Sequence, residues 1–197
     1  PTGTLANAVL GYYRRKGEAH HFHPLHRLDR QTTGLVLIAK EPQIQHMLTK
    51  SGEKRFHRIY LAIARGTLPQ PAGIIDKPLG RSDGSFIRQE VRATSAGGKE
   101  ARTRYEVLAA RGDLSLVRLA LETGRTHQIR VHLASLGCPL LGDDLYGTSD
   151  ARIARQALHA AQLSFRHPIT HADCRINAPL PPDMQTIITS SFPFASI

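Results

Sequence analysis

The chain has 197 residues, 41% of them hydrophobic, and 26 Lys and Arg against 16 Asp and Glu give a formal net charge of +10. That apolar content supports a folded core and argues against disorder. No apolar run approaches the ~20 residues that span a bilayer and no signal-peptide pattern opens the chain, so a soluble cytoplasmic protein without membrane contact is expected. The two cysteines, Cys138 and Cys174, lack CxxC spacing, which argues against a disulfide framework or structural zinc. The basic excess suits a nucleic-acid partner.

In chain order, Leu5, Ala6, Val9, Leu10 and Tyr13 recur at helical spacing over 5–16, with Arg14, Arg15 and Lys16 before Gly17 as the C-terminal stop. Thr33 to Ala39 is a short run rich in branched residues, expected as a central strand. Pro42 opens a helix to about Lys50, ending near Gly52. Arg58 to Arg65 reads as a strand covered on both faces and ended by Gly66. Residues 67–100 are rich in Pro and Gly, with short strands expected near 74–79 and 86–93. Ala101–Ala109 and Leu114–Glu122 form a hairpin about Arg111-Gly112-Asp113.

Thr126 is placed to cap a helix from about His127 to Leu136, with Ile129, Leu133 and Leu136 on its apolar face. A further helix is expected over Asp150–Ala160, then strands at 162–166 and 174–178 and a Pro-rich tail from Pro179. Strands and helices mixed without βαβ alternation predict an α+β fold with a large, mixed, mostly antiparallel sheet flanked by helices and loops.

Two segments can carry chemistry. In His26-Arg-Leu-Asp-Arg30, one carboxylate stands among His26, Arg27 and Arg30. Positive neighbours favour the ionised form, and an ionised Asp29 can serve as nucleophile or base. It can equally be a turn-capping Asp before the 33–39 strand. In Gly124-Arg-Thr-His-Gln-Ile-Arg-Val-His132, the residues Arg125, His127 and Arg130 form either a site for phosphate or carboxylate or a solvated helix start.

Other patterns carry less. No Cys and no second acidic cluster accompanies the histidines at 20, 21, 23 and 26, so no metal is expected. Asp143-Asp144 reads as a structural turn rather than a magnesium site, and Cys138 has no evident base beside it. The absence of GxSxG, Walker A and GxGxxG patterns argues against hydrolase, NTPase and dinucleotide enzymes, and no cofactor is expected.

His26-Arg-Leu-Asp29 with Thr33-Gly34-Leu35, Arg58-x-Tyr60-x-Ala62, Gly124 to His132, Gly142-Asp143, Tyr146-Gly147, Leu158-His159-Ala160 and Phe165-x-His167-Pro168 follow one another in a fixed order. This series resembles the motifs of the RluA-type RNA pseudouridine synthases and covers nearly the whole chain.

The resemblance implies the pseudouridine synthase fold as one catalytic domain over 1–197. It also implies isomerisation of uridines in ribosomal or transfer RNA by a monomer without cofactor. It further implies that Asp29 is catalytic, that Arg130 pairs with it, that Tyr60 lies against the uracil and that Arg27 helps extrude the nucleotide. His26, Arg125 and His127 would join RNA binding, and Ile129 would wall the pocket or serve as plain core. The first strand region of the family, with its Lys-Pro motif, and an S4-type RNA-binding domain are not seen ahead of Pro1. A non-catalytic RNA-binding module shares the composition but has no need of Asp29, Tyr60 and Arg130 together. A metal-dependent nuclease would need more clustered carboxylates than Asp143-Asp144.

Overall fold

The computed structural model describes residues 2–49 and 55–194. Contacts divide the chain into two compact units. The first comprises Pro1–Arg27, Val36–Phe56 and Ser164–Arg175; the second comprises Leu28–Leu35, His57–Leu163 and Ile176–Ile197.

In the first unit, helix α1 spans Leu5–Arg15. Thr4 Oγ1 accepts from the Asn7 amide while Asn7 Oδ1 accepts from the Thr4 amide, a reciprocal cap that satisfies two otherwise orphaned donors. Tyr13 is buried, whereas Leu5 remains 51% exposed, so only part of the expected apolar stripe is covered. Strand β1, His23–Pro24, pairs antiparallel with β3, Ile38–Ala39. Helix α2, Pro42–Thr49, starts at its proline as expected; the expected stop near Gly52 lies outside the described residues. Leu25, Ala39, Leu48 and Phe56 form the core here, with Leu37, Ile44 and Phe165 against it.

The run from Thr33 to Ala39 is not one strand. Thr33–Gly34 forms β2, which pairs parallel with β10, Leu158–Arg166, and Ile38–Ala39 forms β3 in a different sheet. Apolar content alone did not reveal the break, which follows Gly34 at φ 108°.

In the second unit, β4 (Phe56–Arg65), β5 (Ala72–Asp76), β8 (Arg102–Arg111) and β9 (Leu114–Leu121) are joined by antiparallel ladders. They belong to a seven-stranded mixed sheet of order β11-β10-β4-β9-β8-β5, with β2 beside β10 and β11 at Asp173–Asn177. The short hairpin of β6 (Leu79–Arg81) and β7 (Gln89–Val91) stands apart from it. Alternation along β4 divides its side chains between two cores. Tyr60, Ala62 and Ala64 join Val117, Leu119, Ile129, Leu133 and Leu158. Ile63 joins Leu116, Leu141, Met184, Ile187 and Ile188.

Three expectations are corrected. Helix α3 is Gln128–Ala134, and its N-cap is His127 in the left-handed region with no side-chain cap, not Thr126. Residues 150–160 are not a helix. Ala157 donates to Leu141 O (2.8 Å) and accepts from Ile63 N (3.0 Å), so its main chain is held by tertiary partners that override alanine's helix propensity. The Pro-rich tail contains a helix, α4 (Pro182–Ser191), with Pro182 in its first turn and Met184, Ile187 and Ile188 on its buried face. No described helix is long and apolar enough to cross a membrane.

Candidate active site

Asp29 sits at the start of a tight turn in the second unit. Its carbonyl accepts from Thr32 N at 3.0 Å, and Gln31 within the turn has φ 71°. That left-handed position usually holds Gly or Asn. Thr33 and Gly34 then pair with His159 and Ala160 of β10. Thr33 Oγ1 lies 2.9 Å from His159 Nδ1, and Leu35 N donates to Ala160 O at 3.0 Å. A Cβ on Gly34 would stand 2.3 Å from Ala160 O, so the close approach of the two strands requires glycine. Leu28 packs against the cluster containing Tyr60 and Ile129, and the next residue, Asp29, is half-buried.

Tyr60 lies on β4 opposite Leu119 of β9 and is 4% exposed. Burial raises its pKa, the hydrogen-bonded Arg58 opposes that rise, and the charge of Asp29 adds to it. The phenol is therefore neutral across the physiological range. Arg58 is buried as well, and its Nη2 donates to Thr123 O at 3.2 Å.

Arg130 projects from α3 and is 6% exposed. Its Nε and Nη2 donate to the two oxygens of Asp143 at 2.7 and 2.8 Å, a bidentate pair. The guanidinium carbon is 5.0 Å from the Tyr146 ring centroid. Burial opposes the charge on Arg130, but Asp143, with smaller contributions from Asp29 and Tyr146, outweighs it and raises the pKa. Burial likewise disfavours the Asp143 carboxylate, yet Arg130 and the amides of Tyr146 and Leu145 hold its pKa below the ordinary value. The direct partner of Arg130 is thus Asp143 rather than Asp29, whose charge acts on it through space.

The structure brings Asp29, Tyr60, Arg130 and Ile129 into one neighbourhood: Asp29 acts electrostatically on both Tyr60 and Arg130, and Ile129 shares the Tyr60 cluster. His127 joins through Tyr146. The Tyr146 hydroxyl accepts from Gln89 N (2.8 Å) and lies 2.8 Å from His127 Nδ1. Arg125 is exposed, its Nε donating to Glu100 O at 2.8 Å. Gln128 is taken up internally, accepting from Arg125 N and Thr123 Oγ1 and donating to Arg102 O and Thr103 Oγ1. His26 and Arg27 belong to the first unit. There His26 Nε2 accepts from Leu37 N at 3.1 Å and the ring stacks on Phe56, while Arg27 is exposed.

Sequence reasoning overlooked Tyr146 as a neighbour of Arg130, and it read Asp143 only as a turn residue. A buried arginine needs a carboxylate close by, and that requirement was the available signal. Among the described residues, no group of three or more His, Cys, Asp or Glu is placed to hold a metal ion. A half-buried carboxylate whose charge is felt by a neutral phenol and a fixed cation can serve as nucleophile or base.

A family model described as RNA pseudouridylate synthase matches residues 3–135. YjbO of Bacillus subtilis (strain 168), described as an uncharacterized RNA pseudouridine synthase, is 43% identical over 190 residues, which cover 95% of this chain and 66% of YjbO. Ribosomal large subunit pseudouridine synthase D of Haemophilus ducreyi is 40% identical over 203 residues, covering 95% of this chain and 61% of that protein. The chain therefore spans somewhat less than two thirds of these relatives. Human RNA Pseudouridylate Synthase Domain Containing 1 superposes with a TM-score of 0.73 at 27% identity, covering 89% of this chain and 76% of that one. On this family match, the identity to these relatives and the shared fold, the chain belongs to the RNA pseudouridylate synthase family.

Proposed function

We propose that this protein is an RNA pseudouridine synthase that isomerises uridines in ribosomal or transfer RNA, with Asp29 as its catalytic residue. The reading is supported by the placement of Leu28, next to Asp29, in the cluster of Tyr60 and Ile129, with Arg130 held in α3 by Asp143, in a chain that belongs to this family. The net charge of +10 fits a polyanionic substrate.

The reaction breaks the N1–C1′ bond, turns the base and joins C5 to C1′. The proton lost from C5 is balanced by one gained at N1, so no oxidant or energy source is consumed. Asp29 starts it by attack on C1′, by addition to C6 of the ring, or by removing a sugar proton to give a glycal. Tyr60 offers a stacking surface to an extruded base. Arg130 keeps positive charge near the acid, and Ile129 and Leu28 limit water. Arg27 enters the gap left in the stack, while His26, Arg125 and His127 contribute to RNA contact.

Pseudouridine mapping of total RNA from cells with and without the gene, complemented by wild type or Asp29→Asn, tests this reading. Loss of a site restored by wild type alone is expected. Restoration by Asp29→Asn, or no site changing at all, would leave an RNA-binding module as the better description.

A further inference from the structure

The turn that carries Asp29 is gripped from one short segment of the chain outside the motifs discussed so far. Gln156 is 2% exposed. Its Nε2 donates to Arg30 O at 2.8 Å and to Thr32 Oγ1 at 3.0 Å, so both amide hydrogens are committed to the turn. Arg155 reaches the residue between them, Nη1 donating to Gln31 O at 3.4 Å, and the same nitrogen donates to the carbonyls of Gln156 (3.1 Å) and Leu158 (3.3 Å). The rest of that guanidinium is fixed by a bidentate pair with Asp183, at 2.9 and 2.8 Å, in the first turn of α4.

Three consecutive residues of the turn are thus tied down from Arg155 and Gln156. The middle one, Gln31, is in the left-handed region at φ 71°. A side chain there crowds the following carbonyl, so a turn left to itself would relax toward a different geometry. Asp29 begins this turn, and any relaxation of residues 30–32 redirects its carboxylate.

We infer that Gln156, braced by Arg155 and Asp183, is a positioning residue that holds the Asp29 carboxylate in its reactive direction. The inference rests on the reading of Asp29 as the catalytic residue. Gln156 touches neither Tyr60 nor Arg130 in this role; it acts through the main chain of the Asp29 turn. The grip and the strain at Gln31 are two sides of one arrangement. Glycine at position 31 adopts φ 71° without a steric penalty, so it reduces the need for the grip.

The test compares wild type, Gln156→Ala, Gln31→Gly and the double variant, measuring RNA affinity, single-turnover rate and the Asp29 resonance in protein carrying 13Cγ-aspartate. Gln156→Ala is expected to lower the rate roughly 10- to 100-fold, the scale of a misplaced reacting group, with RNA affinity held within a few-fold and the Asp29 resonance displaced. Adding Gln31→Gly is expected to recover several-fold in rate and to move the resonance back toward its wild-type position. A general structural defect would instead lower affinity and melting temperature together and would not respond to Gln31→Gly; that pattern overturns the inference. An Asp29 resonance indifferent to Gln156→Ala overturns it as well. A wild-type protein inactive on every RNA refutes the proposed function separately, and the resonance still decides whether Gln156 positions Asp29.

Discussion

The acid and the cation of the candidate site are held by opposite means. The Asp29 segment is fixed through its main chain, by the Asp29–Thr32 turn, the β2–β10 pairing and hydrogen bonds to the carbonyls of Arg30 and Gln31. Arg130 is fixed through its side chain, by two hydrogen bonds to Asp143 and the face of Tyr146. A carboxylate that must change its bonding during a reaction is better anchored through its backbone. A guanidinium that supplies constant charge is better anchored through the charge itself. The two anchorages should also fail differently.

The largest effect is expected on the cation's side. Asp143→Ala leaves Arg130 buried without its carboxylate, which costs about 3–5 kcal/mol and lowers the melting temperature by roughly 10 °C for a chain of this size. The pair has an acid signature too. The folded-state pKa of Asp143 lies below its ordinary value of 3.8, so its contribution is complete above that value and is lost as pH falls from there through the folded-state pKa. Denaturation followed from pH 5 to pH 2 should be shallower in Asp143→Ala than in wild type. Equal slopes would mean that Arg130 does not depend on Asp143.

On the acid's side, Gly34→Ala places a methyl group against Ala160 O in a left-handed conformation, at a cost of the order of 3 kcal/mol. Turnover should fall further than stability alone explains, because β2 must shift and the Asp29 turn with it. A Gly34→Ala protein that is destabilised but fully active per folded molecule would show that the main-chain anchorage is not what aims the acid.

Buried histidines sharpen the comparison at a smaller scale. His132 Nε2 lies 3.0 Å from Lys77 O, and its Nδ1 is 2.8 Å from Thr103 Oγ1. A carbonyl only accepts, so Nε2 carries the proton and Nδ1 accepts from the Thr103 hydroxyl. His159 has the weaker set, Thr33 Oγ1 at 2.9 Å and Ala178 O at 3.5 Å. Burial lowers the pKa of both below 6.5, so the unfolded chain takes up protons at a pH where the folded chain does not. Stability is complete above about pH 6.5 and declines below it, by up to about 1.4 kcal/mol per pH unit for each histidine. His132→Gln should flatten urea-unfolding curves between pH 7 and pH 5 more than His159→Gln does. The reverse order would place the tighter enclosure on the acid's side.

The smallest effect is expected at Arg125, outside both anchorages. Arg125→Ala should change stability by no more than about 0.5 kcal/mol and reduce the salt dependence of RNA binding by about one phosphate contact. An unchanged salt slope would remove Arg125 from the RNA-facing surface.

The segments of Asp29 and Arg130 stood out in the sequence as places that can carry chemistry, whereas Tyr60 entered only through the ordered motif series and Ile129 read from its own segment as an apolar helix position. Asp143 was in view as a turn residue, but its bond to Arg130 joins residues thirteen apart, beyond any local period. Gln156 was hidden in a segment read as helix, since Ala151, Ala154 and Ala157 have high helix propensity and the pairing of Ala157 with Leu141 and Ile63 leaves no periodic trace. Helix α4 was obscured by the prolines at 179, 181 and 182, which read equally as a tail and as a helix start. The long strands β4, β8 and β9 were found because their sequences alternate or run continuously apolar. The two-residue strands β1, β2 and β3 are too short to carry any period.

Leu28 in the apolar cluster and half-buried Asp29 beside it have an evolutionary consequence. The glycine that docks this segment stands only five positions after the acid, across the Asp29–Thr32 turn. Deleting or inserting one residue between them would break the match between the turn's carbonyls and the donors of Arg155 and Gln156 that hold them. The spacing from Asp29 to Gly34 is therefore closed to length variation. The tip of the β6–β7 hairpin, where Phe86 is 89% exposed, is open to it, so lineages can diversify there without disturbing the acid.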